Sequence, residues 1–224
     1  MRAQYAILPD GRRHFHDGPI DLILQAYGEG AEAAYEAAAA RFATILDELC
    51  AELPRLRSPA GPPPQGVVAR RMVEATAPFA AARFLTPMAA VAGAVAEEVL
   101  AAMTQAAALD RAYVNNGGDI ALHLAQAGEA AASFTLALVA RPEAPTLIGK
   151  ARVTAQDAAR GIATSGWRGR SFSLGIADSV TVLARTAAEA DAAATLIANA
   201  VDLPGHPAIT RAPARARDPQ SDLG

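Results

Sequence analysis

Apolar residues near the start of the chain recur at every second position, and from Ala31 onward at every third or fourth. Ile20, Leu22 and Leu24 alternate as one face of a half-buried strand does. Residues 4–8 and 13–26 flank Pro9-Asp10-Gly11, where Pro fixes φ and Gly tolerates φ above zero, so the pattern predicts an opening hairpin. Gly28-Glu29-Gly30 ends it. Tyr35, Ala39, Phe42, Leu46, Leu49 and Leu53 then predict a long amphipathic helix, stopped by Pro54. Further helices are expected over 67–76 and 89–105, with Pro78 and Pro87 framing a loop between them. Strand patterns follow at 112–114, 120–124, 133–139, 151–154 and 179–184, while 160–172 is polar and Gly-rich with no clear period. Thr186 and Glu189 form a Thr-x-x-Glu capping box, which opens a last helix running to about Val201 before Pro204-Gly205. Strands mixed with helices in irregular order predict an α+β fold of mixed or antiparallel sheets with packed helices.

The 224 residues, 52% of them hydrophobic, suffice for one large domain with a buried core. A Pro-rich linker over 54–66 joins a hairpin-and-helix part to the main part of that domain, because a hairpin plus one helix makes only a thin core. The formal charge of −3 argues against nucleic-acid binding, since neutralising a phosphate backbone takes an excess of Lys and Arg. Arg211, Arg215 and Arg217 read as a solvated tail. The lone Cys50 excludes an internal disulfide and reads as a small core residue. No charged-then-apolar leader is seen, and the apolar run 88–100 carries Glu97 and Glu98 and is too short to span a bilayer. A soluble, cytoplasmic protein with no membrane partner is expected.

Three segments carry candidate chemistry. Asn116-Gly117-Gly118-Asp119 allows close approach of a ligand to the backbone and offers an acid beside it, but the same residues suit a tight hairpin turn. Thr164-Ser165-Gly166, followed by Trp167, Arg168 and Arg170, offers hydroxyls, amides and charge to a phosphate, or else forms a Ser/Gly loop with solvated arginines. Asp191 and Thr195, four apart, share one helical face and can reach one hard cation; that face lies opposite Ile197 and Ala193, so spacing alone favours a solvent-facing polar stripe. His14 and His16 share a strand face, as a metal pair or as exposed strand histidines; with no third ligand nearby in sequence, the second reading is favoured.

Taken in order, these segments resemble the flavin-transferase superfamily: its Asn-x-Gly-Gly-Asp-Ile/Val turn at Asn115 to Ile120, its Ala-Thr-Ser-Gly-aromatic loop at Ala163 to Trp167, and its Ser-Val-Thr-Val strand and Ala-Asp-Ala-x-x-Thr helix at Ser179 to Val182 and Ala190 to Thr195. The chain is similar over nearly its whole length to the uncharacterised ApbE-like family, through His16-Asp17-Gly18-Pro19, Arg70-Arg71-Met72, Pro87 to Gly93 and Asp218 to Gly224. The resemblance implies an ApbE-like fold binding FAD or FMN with magnesium. Asp191 and Thr195 would hold the metal, Asn116, Gly117, Gly118 and Asp119 would shape the pocket, and Thr164, Ser165 and Gly166 would meet the phosphates. In catalysis, such a site would assist attack on a pyrophosphate. The flavin transferases' His-x-x-Asp-Pro-x-Thr-Gly segment has no counterpart in residues 171–177, and no lysine precedes Gly93, which favours a nucleotide-binding protein without FMN transfer. Family members continue past Asp218 to Gly224 with another strand and helix, so a C-terminally incomplete chain, or a homodimer covering an open sheet edge, is expected.

Overall fold

A computed structural model describes residues 3–80, 84–126, 132–139, 147–169, 172–216 and 219. Arg170, Ser171, Arg217 and the segment 218–224 apart from Pro219 lie outside the described residues, and with them the expectations placed there.

The architecture is α+β: a seven-stranded antiparallel sheet carrying a helical layer, with a separate two-stranded hairpin. The sheet runs in the order β1 (Gln4–Ile7), β2 (Arg13–Asp17), β3 (Ile20–Tyr27), β4 (Arg111–Asn116), β5 (Asp119–Leu124), β8 (Gly161–Ser165) and β9 (Val180–Ala184). Among the described residues, β6 (Ser133–Val139) and β7 (Leu147–Thr154) pair with each other as a separate sheet. The helices are α1 (Ala31–Ala51), the short α2 (Leu53–Leu56), α3 (Val67–Ala80), α4 (Val91–Ala106) and α5 (Ala187–Ala200), with a 3-10 turn at Pro87–Ala90 leading into α4.

The expected second arm of the first hairpin is two strands. Gly18, at φ +56°, and Pro19 turn the chain between Asp17 and Ile20, which pair across the turn. The segment without period contains β8, whose Gly161, Ile162 and Ala163 are all buried, so no alternation is available to reveal it. Gly161 has no room for a side chain, because a Cβ would lie 2.0 Å from the Thr186 carbonyl.

One cluster of buried residues runs from Phe15, Leu22 and Leu24 through Phe42 and Ile45 of α1 and Met72 of α3 to Val95 and Val99 of α4 and Ala188 and Ala192 of α5, on both sides of the Pro-rich segment. Full burial of a side chain such as Phe42 contributes roughly 1.5–3 kcal/mol. The buried stripe of α1 is centred on Ala34, Tyr35, Ala38, Phe42, Ile45 and Leu49, so Ala39 and Leu46 lie at its margin. Cys50 falls off the stripe and is exposed, against expectation.

The Pro-rich segment is pinned rather than free. The Glu52 carboxylate accepts from the amides of Gln65 and Gly66, and the Arg55 guanidinium donates to the carbonyls of Ser58 and Pro62. Arg211 likewise donates to the Leu174 carbonyl and pairs with Asp202, which ties down a stretch that reads in sequence as a solvated tail. Counted with its 3-10 turn, the helical stretch Pro87–Ala106 is long and apolar enough by composition to cross a membrane, and half of it is buried inside the fold as a core helix would be.

Candidate functional site

The hairpin turn between β4 and β5 is the first element of the site. Asn116 and Asp119 pair across it, Gly117 and Gly118 take φ +66° and +119°, and the Gly118 amide donates to the Asn115 side chain at 2.8 Å. Two successive positive φ values are what a two-residue hairpin loop demands, so the glycines build the turn first. A Cβ on Gly118 would meet nothing within 4 Å. The turn therefore fixes two flanking side chains on the helix-covered face of the sheet. Asn116 is buried and its Nδ2 donates to the Ala92 carbonyl at the start of α4. Asp119 is half-buried, and its Oδ1 accepts from the Thr164 amide on β8 at 3.2 Å.

The second element is α5, whose Thr186 hydroxyl accepts from the Glu189 amide as the capping box predicts. Asp191 does not face solvent. It is 9% exposed, and its Oδ2 accepts from the Gly93 amide of α4 at 3.0 Å, while Ile197 on the same helix is exposed. A helical wheel misplaces the face because more than half of α5 is alanine, which marks no inner side. Thr195, one turn on, is half-buried.

The third element is the end of β8. Thr164 is exposed and its hydroxyl meets that of Thr181 on β9 at 2.9 Å; Ser165 is half-buried. Gly166 is buried because the Asp178 carbonyl passes 2.4 Å from where its Cβ would stand. Trp167 is half exposed, donates from Nε1 to Asp178 at 2.8 Å, and carries the Arg168 guanidinium 4.5 Å above its ring.

Burial raises the Asp119 carboxyl to about 7, against the opposing pull of the Thr164 amide. Burial also pushes Asp191 well above the ordinary carboxylate range; the Asp119 charge adds to this, and the amides of Gly93 and Ala92 oppose it. A buried acid raised further by a neighbouring acid favours a bound proton or a cation at that spot.

Their chemistry fits a hard divalent ion. Magnesium binds through one or two carboxylates, with waters and phosphate oxygens completing its shell, rather than in an all-protein cage. Asp119 and Asp191 would supply the carboxylates; Thr195 stands on α5 with Asp191, and Thr164 and Ser165 on the neighbouring β8. Among the described residues no group of three or more His, Cys, Asp or Glu side chains is arranged to hold a metal. His14 and His16 instead both face Asp21 on β3, at 3.2 and 3.5 Å, as a mutually paired surface cluster.

The contribution of α4 is not visible in the spacing of the acids. Gly93 and Ala92 present amides to Asp191, and the one available signal was a glycine inside a helix, where it costs about 1 kcal/mol unless packing requires it. Packing does require it: a Cβ there would lie 2.2 Å from the Ala187 carbonyl.

Comparison with known proteins places the chain in a family. A UPF0280 protein of Methanothrix thermoacetophila is 38% identical over 139 residues, covering 60% of this chain and 52% of its own length. A UPF0280 protein of Methanopyrus kandleri is 38% identical over 132 residues, covering 59% and 48%. One from Methanothermobacter thermautotrophicus is 38% identical over 127 residues, covering 53% and 43%. The chain thus spans about half the length of the curated relatives it matches. The model of a family described as AbpE bacteria matches residues 5–224, and the chain belongs to that family.

Proposed function

We propose that the chain is a flavin-nucleotide-binding protein of ApbE-like fold, with magnesium held between Asp119 and Asp191 and the pyrophosphate of FAD lying against Thr164, Ser165 and Gly166. The observation that carries this reading is the buried Asp191 of α5, held by the Gly93 amide and close enough to Asp119 of β5, far away in sequence, for the Asp119 charge to raise it. An acid pair that costs stability when charged is relieved by a divalent cation. Thr195 would add a hydroxyl ligand from the turn of α5 beyond Asp191. The bound ion would neutralise charge on the phosphoryl oxygens. The half-exposed Trp167 would offer a ring face beside the loop.

A second reading has the same pocket binding its nucleotide without reacting. The lack of a His-x-x-Asp-Pro segment supports it, since no described residue between 172 and 177 is a histidine or proline. Mass spectrometry of small molecules released from protein purified under native conditions addresses both readings. FAD or FMN is the expected ligand, and an intact nucleotide recovered after prolonged incubation with magnesium favours the second. Asp191→Asn is expected to weaken flavin binding when magnesium is present and to leave magnesium-free binding unchanged. If the substitution unfolds the protein instead, Asp191 is a structural cap for α4 and the metal reading fails.

A further inference from the structure

α4 and α5 exchange acids. Asp191 of α5 accepts from the Gly93 amide in the first turn of α4, at 3.0 Å, and Glu97 of α4 accepts from the Ala188 amide in the first turn of α5, at 2.7 Å. The two bonds flank the point where the helices touch, at Gly93 against Ala187 and Ala188. Thr186 already caps α5 through Glu189, so Glu97 binds a different orphan amide rather than replacing a missing cap. Glu97 is itself held: its other oxygen pairs with Arg71 of α3 at 3.2 Å, and its side chain is 14% exposed.

A single contact at Gly93 would let α5 turn about that point. A second contact one turn along α4 removes this freedom and sets the direction of Asp191. Ligands of a metal or nucleotide site tolerate only about 0.5 Å of misplacement, so the second contact bears on binding and not only on stability. We propose that Glu97 is a positioning residue that fixes the azimuth of α5 through the Ala188 amide and so aims Asp191 at the cation. This rests on the cation reading of the Asp119–Asp191 pair.

The test uses Mn2+ as the probe, its free concentration read by electron paramagnetic resonance at a temperature well below unfolding. Glu97→Gln keeps an oxygen for the Ala188 amide but gives up the ion pair with Arg71, and is expected to weaken Mn2+ severalfold, as Arg71→Met does and less than Glu97→Asp. Glu97→Asp keeps the charge toward Arg71 but withdraws the acceptor, and is expected to weaken Mn2+ about tenfold or more, the usual cost of losing a supporting contact. Arg71→Met loosens Glu97 without touching α5 and is expected to weaken Mn2+ severalfold, which provides a reading should Glu97→Asp not fold. A purely structural Glu97 would lower the melting temperature of these variants and leave their Mn2+ affinity unchanged; that result in a folded variant overturns the proposal. No Mn2+ binding by the unsubstituted protein overturns the cation reading itself, and this proposal with it.

Discussion

Replacing Asp119 by Asn is expected to stabilise the cation-free protein, the opposite of what removing a structural acid does. Burial lifts the carboxyl from 3.8 to about 7 in the folded state. Between those values the folded protein binds more protons than the unfolded chain, so stability falls as pH rises through the window. Above pH 7 the full penalty applies, about 4 kcal/mol at roughly 1.4 kcal/mol per pKa unit, and about half of that once water at a half-buried group screens it. The new amide oxygen still accepts from the Thr164 amide, so little is lost in exchange. About 2 kcal/mol corresponds to a rise of about 4–8 °C in melting temperature for a chain of this length. Thermal unfolding in EDTA at pH 8 and at pH 5 measures it: Asp119→Asn is expected to melt higher at pH 8, with the gain more than halved at pH 5. Added magnesium is expected to raise the melting temperature of the unsubstituted protein and not that of the variant. A variant that melts lower in EDTA at pH 8, together with an unsubstituted protein indifferent to magnesium, refutes the reasoning.

Gly93→Ala drives a methyl group into the Ala187 carbonyl, and urea unfolding is expected to show a loss of about 3 kcal/mol or more, at or above the usual cost of overpacking. Trp167 is the chain's only tryptophan and stands beside the proposed phosphate loop, so flavin is expected to quench its fluorescence. Unchanged emission at saturating flavin removes Trp167 from the site. Incubation with FAD, magnesium and a threonine-bearing acceptor is expected to yield no protein–FMN adduct, and intact-mass detection of one overturns the non-transferring reading.

Much of the fold was legible because its elements announce themselves locally. The alternation at Ile20, Leu22 and Leu24, the stop at Pro54 and the cap at Thr186 each act within a few residues. β8 was missed because a strand buried on both faces shows no period, and the turn at Gly18-Pro19 because strand character continues on either side of it. Of the site, the acids and the glycine turn stood out by residue type. Their meeting did not, because it depends on the register that pairs Asn116 with Asp119 and on a helix crossing at Gly93 that an alanine-rich α5 does not advertise. Cys50 shows the converse: its usual preference for burial is overridden by its place on the outer side of α1.

Isothermal titration of FAD into the EDTA-treated protein, repeated with magnesium at millimolar concentration, tests the Asp119–Asp191 site most directly. Saturable heat that strengthens at least about tenfold with magnesium, a coupling of about 1.4 kcal/mol, is expected if the ion joins the carboxylates to the pyrophosphate. No heat for FAD or FMN under either condition would contradict it.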